Sequence, residues 1–199
     1  MGARSLAWLE HPTDNRKVGS SNLLGPTTQK QVDCGIHRVF LLDVNRVSVG
    51  SVYVGSDHAG FELKMHAIST LRELGADVVD VGPFEYDKED DYPEYAKRVC
   101  ERISGTANRG ILICGTGQGM ERAANKFPGV YASVCWDEFT AEVAKEHGDI
   151  NVLCMGGRTT SPEVADRIIG IWLNSPFSGD ERHRRRVKEI KEIEKEHMK

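Results

Sequence analysis

The chain of 199 residues has little that would commit it to nucleic acid, to a membrane or to an oxidised framework. It carries no excess of basic residues: 26 Lys and Arg stand against 30 Asp and Glu, a net charge of −4, and the basic residues cluster only near the C-terminus. Binding of nucleic acid by general electrostatics is excluded on that balance. No stretch approaches the roughly 20 apolar residues of a membrane span; the longest apolar runs have the length of strands. The five cysteines, Cys34, Cys100, Cys114, Cys135 and Cys154, are odd in number, include no C-x-x-C pair and lie mostly in apolar surroundings. That usage fits reduced thiols in a cytoplasmic protein better than disulfides or zinc.

Also lacking, over residues 1–48, is any sustained hydrophobic period. HPTDNRKVGSSNLLGPTTQKQ is polar and rich in turn formers, and is expected to be a poorly ordered extension that adds nothing to the core. With Glu10 and Asp14 present and no apolar h-region, it makes a weak transit peptide and no secretory signal. RVFLLDV (39–44 and its flank) has the composition of a strand or an ordered arm.

What is present from residue 49 to 199 is a regular alternation. SVYVGSD reads as strand and turn, FELKMHAISTLRELG as a helix ending at Gly75, ADVVDVG as strand, DYPEYAKRVCERISG as helix, GILICG as strand and GMERAANKF as a helix start. YASVCW (strand), DEFTAEVAKEHG (helix), NVLCMGG (strand) and SPEVADRIIGIWLN (helix) follow. Strands rich in Val, Ile and Leu alternating with helices predict one doubly wound α/β domain with a five-stranded parallel sheet. The last segment, SGDERHRRRVKEIKEIEKEHMK, is a charged C-terminal helix whose Val187, Ile190 and Ile193 form a thin apolar stripe, suited to packing on a neighbouring subunit.

In such sheets ligands bind at the carboxyl ends of the strands, and Asp57 and His58 after the first strand and Cys114 after the third are expected there, with His147 to Asn151 converging on them. In CGTGQGM, the glycine-rich turn offers backbone N–H groups to an oxyanion, and a helix N-terminus favours a thiolate. Cys114 is therefore a candidate base or nucleophile, although a buried packing thiol is its plain alternative. Gly115, Gly117 and Gly119 allow close backbone approach to a ligand oxygen, and Thr116 adds a hydroxyl. The spacing from Cys114 to Arg122 does not fit a cysteine phosphatase loop, and the turn is not the dinucleotide fingerprint, which belongs after the first strand. Asp57 and His58 suit a base or hydroxyl-binding pair, or else an N-cap with a surface histidine. His147 closes a helix, where it is either a proton shuttle or a dipole partner. Arg182 and Arg186, one helical turn apart, can face one phosphate.

Taken in order, GSDHAG, DYPEYA, ILICGTGQGMERAANKFPG, EHGDIN, NVLCMGGR and GDERHRRRV resemble the sugar-phosphate isomerase family of type B ribose-5-phosphate isomerases and galactose-6-phosphate isomerase subunits, over roughly residues 50–195. The resemblance implies a homodimer of Rossmann-like subunits with active sites shared across the interface, with no metal and no cofactor; pairing of dimers into a tetramer is left open. It implies Cys114 as the base that moves a proton between C1 and C2, and His147, helped by Asp57, as the group that opens the sugar ring. Gly115, Thr116, Gly117, Gln118 and Gly119 would hold the enediolate oxygens; His58, Arg158, Arg182 and Arg186 would receive the phosphate, part of this set coming from the other subunit.

Two positions bear on the detail. Gly148 stands where the family often has Asn, which touches the choice of substrate. Met120 stands where one branch without the Cys has a catalytic Glu, which places this chain with the Cys users. The expected reaction is interconversion of ribose 5-phosphate and ribulose 5-phosphate through an enediolate. The alternatives are isomerisation of allose or galactose 6-phosphate, and a non-catalytic sugar-phosphate binding subunit.

Overall fold

The computed structural model describes residues 50–198. The expectations for residues 1–48, the extension and the RVFLLDV arm, lie outside that range. Within it the chain runs β1 (Val52–Ser56), a 3₁₀ turn (His58–Gly60), α1 (Phe61–Glu73), β2 (Val78–Asp80), α2 (Tyr92–Ile103) and β3 (Arg109–Cys114). There follow α3 (Gln118–Ala124), β4 (Ala132–Val134), α4 (Glu138–Gly148), β5 (Val152–Gly156), α5 (Pro162–Asn174) and α6 (Glu181–His197).

The five strands form one parallel sheet in the order β2-β1-β3-β5-β4. A parallel neighbour is reached only by a crossover, and each crossover helix must cover a face. One face is packed by α1, α4 and α5 through Leu63, Ile68, Leu71, Ala141, Ile168 and Trp172, against Val54, Ile111, Ile113, Leu153 and Met155. The other is covered by α2 and α3 through Val99, Cys100, Ile103, Met120 and Ala124, against Leu112, Val152 and Cys154. The central strands β3 and β5 are buried on both faces, hence their unbroken apolar runs, whereas edge strand β2 is only half-buried.

Local signals set the helix ends. Asp137 and Thr140 form a capping box at the start of α4, Ser161 caps α5 ahead of Pro162, and Gly75, at φ 78°, stops α1. Helix α3 is short because Asn125 leaves the helix to bracket Ala132, donating from Nδ2 to its carbonyl at 3.0 Å and accepting from its N–H at 2.9 Å.

One buried charge fixes the segment between β2 and α2. Lys64 of α1 is fully buried, and its Nζ donates to Asp80 Oδ1 and Oδ2 at 2.9 and 2.8 Å and to the Pro83 carbonyl at 2.7 Å. The Phe61 and Phe84 rings lie 5.4 and 5.9 Å from the ammonium. Three donors with three acceptors leave no proton of this ammonium unmatched, which is the condition for tolerating a buried cation. Lys64→Met is expected to lower stability by about 3 kcal/mol, because it strands the Asp80 carboxylate and frees Pro83; urea unfolding with an unchanged midpoint would refute this.

Candidate active site

The carboxyl ends of β1, β3 and β5 finish level. Ser56 is in register with Ile113, and Cys114 with Gly156. The loops that leave them are stitched together by main-chain bonds: Asp57 N–H to the Ile113 carbonyl at 3.1 Å, Gly157 N–H to that of Cys114 at 2.7 Å, and Arg158 N–H to that of Gly115 at 3.1 Å. This brings Asp57, His58, Cys114, the Gly115 to Gly119 turn and Arg158 to one edge of the sheet.

Cys114 Sγ accepts a hydrogen bond from the Gly117 N–H at 3.2 Å, and the side chain is 5% exposed. That bond requires Gly117 in the left-handed region, at φ 80°, where a Cβ would also lie 3.1 Å from the Met155 carbonyl. No side chain caps α3, so its first-turn N–H groups stay open beside the sulfur. Thr116 and Gln118 are exposed and, with Glu121, Trp136 and Thr159, line a cleft of about 510 Å³. Glu121 is held at the wall of that cleft, its Oε1 accepting from the Val134 N–H at 3.2 Å. The Tyr92 ring lies over Gly119, where a Cβ would approach it to 2.9 Å. The other thiols have a different setting: burial pushes Cys100 and Cys135 up to about 12 and Cys154 well above its ordinary value.

Asp57 is an N-cap, its Oδ1 accepting from the Gly60 N–H at 3.0 Å. It is also buried at the site, and that desolvation raises its carboxyl above the usual range against the lowering effect of the Gly60 bond. The capping reading of Asp57 thus holds, and its burial puts the carboxyl at the same edge of the sheet as Cys114. His58 turns toward the segment before α2, where Asp90 Oδ1 accepts from its backbone N–H at 2.9 Å and its Nδ1 at 2.8 Å.

The remaining candidates do not join this group within one chain. Helix α4 starts beyond the carboxyl end of β4 and returns to the amino end of β5, so His147 to Asn151 lie at the opposite edge of the sheet from Cys114. The expected convergence is corrected by the crossover that a parallel sheet demands. Here the exposed His147 ring stacks on His183 of α6, with centroids 4.0 Å apart and planes at 32°. His183 is buried, and its Nε2 accepts from Arg182 Nε at 3.0 Å, so Nδ1 carries the proton and donates to Ser178 Oγ at 2.7 Å. Desolvation, followed by the His147 and Arg182 charges, lowers the His183 pKa. Arg186 lies one turn further along α6 and is exposed. Gly148 has an ordinary φ, and a Cβ there would meet only Ile150 Cγ2, at 3.7 Å.

Helix α6 buries little of itself. Apart from His183 it is anchored by Glu194, which accepts from the Gly129 N–H and the Tyr131 hydroxyl, both at 2.8 Å. Ile190 and Ile193 of the apolar stripe are 52% and 58% exposed. Two residues of this geometry were missed in the sequence. Asp90 is hidden in the acidic run KEDDYPEYA, and His183 in the charges of ERHRRRV. The order DDYP, acid before a helix-opening proline, was the one available cue for Asp90, and it points to a cap.

Known proteins resemble this chain in sequence and fold. The sequence profile described as Ribose/Galactose Isomerase matches residues 52–190. Ribose-5-phosphate isomerase B of Escherichia coli (strain K12) is 42% identical over 141 residues, which are 70% of this chain and 93% of that protein. The structure of type B ribose 5-phosphate isomerase from Trypanosoma cruzi superposes with a TM-score of 0.69 at 43% identity, covering 74% of this chain and 97% of that one. Ribose-5-phosphate isomerase B from Mycoplasma genitalium with bound ribulose-5-phosphate gives 0.70 at 39% identity, over 73% and 97%. With the profile spanning the whole sheet and both edge clusters, the chain belongs to the ribose/galactose isomerase family.

Proposed function

We propose that the protein interconverts ribose 5-phosphate and ribulose 5-phosphate, with Cys114 as the base. The observation that supports this best is the Cys114 sulfur, held by the Gly117 N–H at the mouth of an uncapped helix, beside Thr116 and within a family whose relatives carry that activity in their names. Sγ takes the proton from C2 of the open aldose; the C2 electron pair forms the C1–C2 double bond and the carbonyl oxygen takes the charge. The Thr116 hydroxyl and the turn's N–H groups receive that charge, and the proton returns to C1 while the O2 proton passes to O1. His58 and Arg158 hold the phosphate at this edge.

His147, Arg182 and Arg186 stand at the other edge, so they serve the site of a second copy: the working unit is a homodimer in which each cleft is completed by its partner. Exposed Ile190 and Ile193 on α6 fit burial in such an interface. Absence of a long apolar helix among the described residues and the four free thiols there accord with a cytoplasmic setting.

Purified protein is expected to form ketose from ribose 5-phosphate and little from allose 6-phosphate; the reverse preference would move the assignment to the hexose branch. Cys114→Ser is expected to lower kcat by about 10³-fold while leaving phosphate binding nearly intact, and equal loss of both would sink the base assignment. Iodoacetamide should label Cys114 ahead of Cys100, Cys135 and Cys154, as read by peptide mass spectrometry. Mixing inactive Cys114→Ser and His147→Ala subunits should restore about a quarter of wild-type activity, since half the random dimers then hold one intact site; no recovery would refute the shared site.

A further inference from the structure

Asp90 has no place in the reaction just described, yet it is bound to a group that does. Its side chain is only 7% exposed, and Oδ1 accepts both the backbone N–H and the Nδ1–H of His58, at 2.9 and 2.8 Å. Its second oxygen, Oδ2, is buried with no close partner of good geometry, and the only other donor beside the carboxylate among the described residues is the neutral Tyr95 hydroxyl. A buried carboxylate whose other neighbours are neutral donors is costly unless a full positive charge faces it. His58 is the group in that position. Its Nε2 makes no hydrogen bond among the described residues, and the side chain is 26% exposed, so that nitrogen can meet a ligand.

We propose that Asp90 is a positioning residue, which fixes the His58 ring through Nδ1–H and keeps the imidazole cationic, so that Nε2–H donates to the substrate's phosphate. This rests on the proposed role of His58 as a phosphate ligand. A second feature serves the same end: Lys64, by binding Asp80 and the Pro83 carbonyl, holds the start of the segment that delivers Asp90.

Of the charged groups around His58, the two aspartates favour its cation and the one arginine opposes it. From its own loop comes Asp57, from the segment before α2 come Asp90 and the edge of the Tyr86 ring at 6.3 Å, and from beyond β5 comes Arg158. Tyr95 of α2 stands behind Asp90 as a neutral donor to it, and burial, then the Asp90 charge and hydrogen bond, raises its hydroxyl. The Asp90 hydrogen bond is the largest influence on His58 and raises its pKa, the two aspartate charges add to it, and desolvation and Arg158 oppose it. A raised pKa means the cation is complete below the ordinary histidine range and persists above it. Phosphate binding should therefore weaken only as pH passes the raised value.

The test is a titration of the His58 imidazole in the full-length protein by ¹H–¹⁵N NMR, with Asp90→Asn beside wild type. The wild-type midpoint is expected above the ordinary value of about 6.5, with Asp90→Asn falling toward it. A wild-type midpoint at or below that value, or one that Asp90→Asn leaves unmoved, would overturn the proposal. In turnover, Asp90→Asn should raise KM for ribose 5-phosphate about fivefold at pH 7.5 with kcat nearly unchanged, and the two proteins should converge near pH 5.5. A KM increase that does not depend on pH would show a merely structural aspartate. The titration requires no turnover, so it decides the pairing even where wild-type protein is silent on ribose 5-phosphate, a silence that would overturn the functional reading instead. Should Asp90→Asn not fold, the wild-type midpoint alone still decides.

Discussion

A Cβ on Gly157 would sit 2.3 Å from the Ala59 carbonyl oxygen, and one on Gly60 would sit 2.4 Å from that of Ile113. At the carboxyl edge of the sheet the loops after β1, β3 and β5 therefore touch backbone to backbone, with no layer of side chains between them. Everything in the cleft depends on that contact. It brings the Asp57, Cys114 and Arg158 loops close enough to share hydrogen bonds. Parallel strands of equal reach make it possible, because all their carboxyl ends face the same way.

The same directionality divides the candidate site. A helix that leaves the carboxyl edge must come back to the amino edge before the next strand begins, so residues late in a crossover helix lie across the sheet from those that follow a strand. Cys114 and His58 belong to the first kind of position, and His147 to the second. Helix α6 reinforces the division by holding Arg182 against His183, beside His147. Under the proposed function, the two groups on opposite edges of one subunit would meet only across an assembly of two copies.

The layout of the sheet was legible because period and composition are local. Unbroken ILIC and VLCM runs could be explained by strands buried on both faces, Gly75 marked a helix end, and the stripe of α6 was visible as Val187, Ile190 and Ile193. What was not legible depends on distance in the chain. The His58–Asp90 bond joins residues 32 apart, and no spacing rule links a histidine after one strand to an acid before the second helix. Arg182 and Arg186 could be paired by helical periodicity, but the residue between them that accepts from Arg182 looked like one more surface charge. The 3₁₀ turn at His58–Gly60 was likewise unmarked, since GSDHAG serves equally as a simple turn. The candidate site was thus readable as residue types, several of them at strand ends, while the contacts that support them were tertiary and stayed hidden.

Gly148 meets almost nothing and has no backbone requirement for glycine. Its neighbour His147 is held from the other side, by the stack on His183, so a side chain added at 148 would change the surroundings of the imidazole without disturbing what supports it. Evolution can therefore vary this position at small cost to folding. If position 148 faces the substrate, as the family resemblance implies, a change of preference there would leave the scaffold intact and need no more than a single codon.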